Sequence, residues 1–369
     1  MADSTPHAPI RYRADIEQPE ANEAETSKEL NATLHSILET TSKDYGHAVR
    51  SVHAKSHALL EGELTVPEGL PPELSQGLFA KPGIYKVVLR LSTNPGDILD
   101  DSVSVPRGVA IKILDVEGER LPGSEGDTTQ DFILVNAPAF AAAKAKDFLA
   151  NLKMLAKTTG RAEGAKKVLS AVLRGTEAAL EAVGLESATL KQMGGHPSTH
   201  PLGETYYTQT PFRFGDYVAK LSLAPVSRNL TDLSGDHVNV AARPDALREV
   251  IAATMIEGDG VWEMRAQLCT DLDKMPIEDA SKQWDEKASP YRTVATLRVP
   301  AQMSWSHDRA RVVDDEMSFI PWHGLAAHRP LGSINRVRQP AYVMSSEFRG
   351  SFNGCPIHEP KALEPLPTT

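Results

Sequence analysis

The feature that most restricts this chain is a repeated two-residue alternation of apolar and polar side chains. Tyr85, Val87, Leu89 and Leu91 alternate with Lys86, Val88, Arg90 and Ser92. Successive side chains of a strand point to opposite sides, so this is the pattern of a strand with one apolar face. Val109, Ile111 and Ile113 repeat it, and Phe132–Val135 is a continuous apolar run suited to a buried strand. Pro-Gly, Asn-Pro-Gly and Pro-Arg-Gly signals separate these segments. Further strands are expected at Glu204–Pro211, Tyr217–Leu223, Val261–Leu268 and Tyr291–Val299, about eight in all. That number can close on itself and leave no free edge. The expectation is an α+β chain built on an eight-stranded antiparallel β-barrel, with inserted and C-terminal helices.

The helical signals lie between and around these strands. Leu30, Leu34, Ile37 and Leu38 recur at three and four residues, which predicts a short helix from Ser27. Residues 139–192 are rich in Ala, Leu and Lys and read as two or three helices. Pro244–Ile256 predicts an amphipathic helix, with Pro244 in its first turn and Leu247, Val250, Ile251 and Met255 on one face. Residues 1–26 carry six acidic side chains and three prolines and are expected to be a disordered arm. Residues 27–355 form the expected domain, and 356–369 an irregular Pro-rich tail.

Charge and cysteine content exclude several functions. The 369 residues hold 39 Lys+Arg against 49 Asp+Glu, a net charge of −10. Nucleic-acid binders build their affinity on neutralising phosphates, so that class is disfavoured. Two cysteines, Cys269 and Cys355, cannot make a disulfide framework or a Cys-rich zinc site. With no apolar run of membrane-spanning length and no signal peptide in Met1–Thr26, a cytoplasmic location is expected. The cations Lys153, Lys157, Arg161, Lys166, Lys167 and Arg174 make one basic stretch, which reads as a solvated helix face or as a contact for anions or lipid.

Local motifs of catalysis are sparse. Arg50–His57 reads as a strand with one polar face, on which His53 and His57 would stand about 13 Å apart, too far for one metal ion. His196-Pro-Ser-Thr-His200 is flanked by prolines that disfavour a helix, so zinc is not expected there either. Dinucleotide, nucleophile-elbow and phosphate-loop motifs are absent.

Four separated stretches, taken together and in order, resemble the haem catalase family. Arg50-Ser-Val-His53-Ala-Lys55 is similar to the segment carrying that family's distal histidine. Val88-Leu-Arg90-Leu-Ser92-Thr93, followed by Pro106-Arg-Gly108-Val-Ala-Ile-Lys112, resembles its Arg-Phe-Ser-Thr strand and Pro-Arg-Gly stretch. Asp131-Phe-Ile-Leu-Val-Asn136-Ala-Pro138 resembles the stretch with the distal asparagine, and Phe148 is spaced like the phenylalanine that stacks on haem. Arg338-Gln-Pro-Ala-Tyr342, with Arg349 seven residues on, keeps the Arg-x-x-x-Tyr and later arginine of the proximal helix. Trp284, Pro290, Val294, Leu297 and Pro300 are similar to the stretch that closes the family's barrel. The family's wording around Tyr342 is otherwise lost, and arm and tail are short. The resemblance is therefore to the small catalase-related peroxidases.

The resemblance implies haem b held against one side of the barrel, with Tyr342 as the iron ligand and Arg338 supporting it from the same helix face. Pro340 between them implies a helix that begins or kinks there. Arg50, Arg90 and Arg349 would bind the haem propionates, because an unpaired buried anion is costly. His53 would move a proton between the peroxide oxygens, Asn136 would hydrogen-bond the peroxide, and Ser92 would orient His53. The activity implied is reduction of hydrogen peroxide or organic hydroperoxides through an oxoferryl haem, with a second peroxide or an organic donor as reductant. A short frame implies a wide haem channel open to larger peroxides. Two alternatives are a fatty-acid hydroperoxide isomerase of the allene oxide synthase kind, whose carboxylate or membrane the basic stretch could meet, and a haem-binding or sensing protein with little turnover. The expected assembly is a homo-oligomer.

Overall fold

The computed structural model describes residues 8–156 and 197–368. Its centre is a closed ring of eight antiparallel strands. β1 (Ser56–Val66), β2 (Gly83–Thr93), β3 (Arg107–Ile113) and β4 (Gln130–Val135) follow one another as neighbours. β5 (Tyr206–Tyr207) bridges β4 to β7 (Tyr217–Pro225), which leads through β8 (Gly260–Leu268) and β9 (Arg292–Val299) back to β1. β6 (Phe212–Phe214) is a hairpin partner of β7 outside that ring. The expected Glu204–Pro211 strand is thus reduced to two residues, but they supply the pairing that closes the barrel.

The alternation read from the sequence sorts the two faces. Leu89 and Leu91 of β2, Val109, Ile111 and Ile113 of β3, and Phe132 and Leu134 of β4 join one core with residues of every other long strand. Their neighbours Arg90, Ser92, Gly108, Lys112 and Asp131 therefore face outward, where other elements cover them. A second apolar cluster there joins Leu30, Leu34 and Ile37 of α1 (Glu23–Tyr45), Leu149 and Leu152 of α2 (Ala145–Ala156), and Val337 and Ala341 of the last helix. The expected helix at Pro244–Ile256 forms as α3 (Ala246–Glu257), and the last helix, α4, runs Ser333–Phe352.

Several expectations change. Residues 8–26 are packed rather than disordered: the Ile10 and Tyr12 N–H groups donate to Cys269 and Asp216 carbonyls, and Ile16 is buried against Val218 and Trp284. Buried apolar side chains and long-range partners, invisible in a polar local composition, hold this arm. α1 starts four residues before Ser27 and is long. Arg50–Lys55 is a loop, not a strand, and β1 begins at Ser56 with a bulge at Ser56/Ala58. Pro340 neither starts nor ends α4; the helix continues through it, although Pro340 has no N–H to give the Arg336 carbonyl. Of the helices expected over 139–192, α2 is described, while 157–192 lie outside the described residues, as does most of the basic stretch. The tail to residue 368 has no regular elements, yet Leu366 is buried and the Pro367 carbonyl accepts from Arg309 Nε at 2.6 Å. Among the described residues no helix is long and apolar enough to cross a membrane.

Candidate active site

The outward faces of β2 and β3, the 50–55 loop and one face of α4 meet at a single place. Ser92, Gly108 and Val135 are paired across β2, β3 and β4, forming one row at the barrel rim. The His53 imidazole lies on that row, with Nδ1 at 3.1 Å from Ser92 Oγ. A Cβ at position 108 would stand 2.6 Å from His53 Cε1, so only glycine admits the ring. His53 itself has φ 55°, an uncommon conformation for a non-glycine residue, pinned by N–H donation to the Asn94 carbonyl at 2.7 Å. Nothing in the local alternation indicated this turn, because the constraint comes from the 94–95 segment. His57 stands apart on β1, with Nε2 at 3.2 Å from Thr93 Oγ1.

α4 presents Arg338, Tyr342, Ser345 and Arg349 at spacings of four, three and four, which places them on one face. That face meets the loop: the Ser51 N–H donates to Ser345 Oγ at 3.4 Å. Tyr342 is half-buried, and Arg338 lies with its guanidinium 5.3 Å from the Phe140 ring centre. Its one hydrogen bond among the described residues is long, 3.4 Å to Asn335 Oδ1. Phe148 packs edge-on against Phe140 at 5.1 Å.

Three arginines converge at the far end of this face. Arg90 Nε donates to Asp314 Oδ1 at 2.6 Å and Arg50 Nη1 to the same oxygen at 3.0 Å. Arg50 Nη2 reaches the Val313 and Met317 carbonyls, and Arg349 Nη1 the Asp314 carbonyl at 2.6 Å. Asp314, absent from the sequence-based site, is therefore the carboxylate that accepts from both Arg50 and Arg90, and Asp315 beside it adds a second negative charge acting on Arg50 and Arg349. Burial opposes the Asp314 charge, but Arg90 and Arg50 hold its pKa below the usual carboxylate value. Burial followed by mutual repulsion pushes Arg50 well down, and burial followed by Arg90 takes Arg349 down to about 10. Arginine does not give up its proton in such settings, so the guanidinium groups stay charged; the shifts reflect burial first and cation–cation repulsion second, set against the attraction of Asp314 and Asp315. Burial, then Arg90, Arg338 and Arg50, lowers the His53 pKa to about 3. The ring is neutral at pH 7 and can accept a proton.

Asn136 sits beside this group but is not a free donor. The Arg107 backbone N–H donates to Asn136 Oδ1 at 2.9 Å, and Asn136 Nδ2 donates to Glu204 Oε2 at 2.8 Å. Glu204 and Arg107 were missed by sequence reasoning. Arg107 stands in the quoted Pro-Arg-Gly stretch, whereas nothing local marks Glu204.

No family model matches the chain, and neither does any curated protein sequence. Its fold is shared with catalases of solved structure. A fungal catalase superposes with a TM-score of 0.57 at 15% identity, covering 94% of this chain and 68% of that one. Catalase A from Saccharomyces cerevisiae gives 0.55 at 14%, covering 94% and 69%, and a bacterial catalase 0.56 at 16%, covering 94% and 65%. The chain spans about two thirds of the length of these proteins.

The residues present fit haem b in donor chemistry. A phenol with a guanidinium one turn away can ligate ferric iron. Three arginines gathered at Asp314, with Asp315 close by, offer charge and N–H donors to anionic groups, and among the described residues Arg349 Nε is buried with no hydrogen-bond partner. Arg338 likewise holds a charge that one long hydrogen bond does not satisfy.

Proposed function

We propose that the chain is a haem-dependent peroxidase or catalase that reduces hydrogen peroxide or organic hydroperoxides. The observation that carries this reading is the pairing of two faces. A neutral imidazole lies on the rim row, and α4 turns a tyrosine and two arginines toward the loop that holds it. Haem b, when bound, supplies the iron-centred redox chemistry that cleaves the peroxide bond.

The protein's own residues divide the remaining work. Tyr342 would ligate the iron, with Arg338 stabilising the phenolate charge. Arg50, Arg90 and Arg349 would hold the propionates, and Asp314 keeps their forks aligned before those anions arrive. Phe148 and Phe140 wall the edge of this face. His53 Nε2, without a hydrogen-bond partner among the described residues, would take the proton from the near peroxide oxygen and return it to the far one. Ser92 at Nδ1 fixes the ring for that transfer. Asn136 would offer its second Nδ2 hydrogen to the peroxide.

Absorption spectroscopy of the full chain with haemin tests the reading. Wild-type protein should develop a Soret band with tyrosinate charge-transfer features, and Tyr342→Phe should lose those features. A wild-type chain that takes up no haem, or an unchanged spectrum in Tyr342→Phe, would defeat it.

A further inference from the structure

A largely buried carboxylate next to Asn136 has no place in the reading above. Glu204 projects from the segment before β5, partly buried against the buried Arg107. Its two oxygens serve different groups. Oε1 accepts from Arg107 Nη1 and from Thr199 Oγ1, and Pro197 adds a carbonyl to Arg107 Nη2 at 2.8 Å. Oε2 accepts from Asn136 Nδ2 at 2.8 Å and faces the Tyr206 hydroxyl at 3.4 Å. An Arg107–Glu204 ion pair serving only to fasten the loop would not need Oε2 aimed at the amide.

The consequence for Asn136 is a fixed carboxamide. Its Oδ1 faces a backbone N–H, which only donates, and its Nδ2 faces a carboxylate, which accepts. The flipped amide would set oxygen against oxygen and N–H against N–H. One Nδ2 hydrogen is spent on Glu204 and the other is held in a defined direction. The Asn136 N–H also donates to the Arg107 carbonyl at 3.0 Å, anchoring the residue beside Gly108 and therefore beside the His53 ring.

We propose that Glu204 is a positioning residue that orients the Asn136 amide toward a small iron-bound ligand on the His53 side. The proposal rests on the haem reading for the ligand, but not for the orientation itself. Two readouts separate them. In haem-free protein labelled with 15N-asparagine, the Asn136 side-chain signals, identified by their loss in Asn136→Ala, should have widely split protons. Glu204→Ala should collapse that splitting, and Glu204→Gln, which keeps the volume and an acceptor oxygen, should shift it partway. Glu204→Gln also serves if Glu204→Ala leaves Arg107 too poorly paired to fold.

In haem-loaded protein the probe is cyanide, followed by Soret titration and by the iron–cyanide bands in resonance Raman spectra. Asn136→Ala and the foldable Glu204 variant should weaken cyanide roughly tenfold, the scale of one lost hydrogen bond. They should move the same bands in the same direction, and the double variant should be no worse than Asn136→Ala alone. Unmoved asparagine signals in both Glu204 variants would overturn the positioning role whatever happens with haem. Moved signals with unchanged cyanide affinity and bands would overturn its bearing on the ligand. A wild-type chain without a Soret band would overturn the haem reading and the ligand role with it, leaving the asparagine signals to judge the orientation alone.

Discussion

Two buried charge clusters lie on the outer face of the same barrel, and they are built on opposite principles. At one, Lys112 on β3 donates to Asp131 at 2.8 and 3.0 Å and to Glu359 of the tail at 2.5 Å. Thr129 and Ser318 also donate to Glu359, and the Ile320 N–H to Asp131. Asp131, His323 and Glu359 stand close enough to resemble a metal site, but the Lys112 ammonium already occupies the position of a cation there. Burial opposes that charge, and the two carboxylates nevertheless hold the lysine pKa above its usual value. At the other cluster, Arg50 and Arg90 share the Asp314 carboxylate and Arg349 reaches its carbonyl, and cation–cation repulsion opposes the attraction of Asp314 and Asp315. A buried charge whose partners come from its own chain holds the fold together. One facing other charges of its own sign has charge to offer a ligand.

Substitutions can break this contrast, and the largest effect should be catalytic. His53→Ala, at the arginine cluster, should retain haem and lose about 10²–10⁴ in the rate of peroxide cleavage, measured by stopped flow. His323→Ala, at the lysine cluster, should leave that rate unchanged. Equal losses in both would erase the distinction.

Next in size is stability. Lys112→Met strands two carboxylates and should cost about 3–5 kcal/mol in urea unfolding of the haem-free protein. Arg349→Met removes a repelled cation bound only to carbonyls, and should change haem-free stability by less than about 1 kcal/mol. The same Arg349→Met protein should nonetheless bind haemin roughly 10–100-fold more weakly, the scale of a lost charge-assisted hydrogen bond. If Arg349→Met unfolds the apoprotein as Lys112→Met does, the arginine cluster is structural after all.

The remaining effect is visible in pH and concerns His53, which burial first and the arginine charge second hold neutral. The unfolded chain protonates this histidine near 6.5 and the folded chain only near 3. The unfolded state thus binds more protons in that window. The stability contribution is complete above pH 6.5 and is lost as pH falls toward 3, by about 1.4 kcal/mol per unit. Peroxide cleavage should therefore stay level from about pH 8 to about pH 5, and any acid loss should coincide with unfolding by circular dichroism. A midpoint near the ordinary histidine value in a folded protein would show that burial and the arginines do not control His53.

How much of this was legible in the chain follows from distance along it. The alternation in β2 and β3, the apolar run of β4 and the α3 periodicity are written in neighbouring residues, and they fold as read. Ser92 beside His53, and Tyr342 sharing a face with Arg338 and Arg349, also follow from short motifs once they are recognised. The 50–55 loop was misread because its alternation is overridden by Asn94 and Pro95, whose carbonyls take the His53 and Ala54 N–H groups. The arm at 8–26 was misread because its composition is polar while its few apolar side chains find a core elsewhere.

Neighbouring residues carry the barrel's period, the separation of Arg90 and Ser92 from the apolar face, and the residue types on which the haem proposal rests. Which acids those residues meet is set by the folded chain alone. Asp314 lies 224 positions from Arg90, and Glu204 lies 68 from Asn136. No local pattern reports such pairs, because their attraction acts only after the strands have closed and water has been excluded from between them.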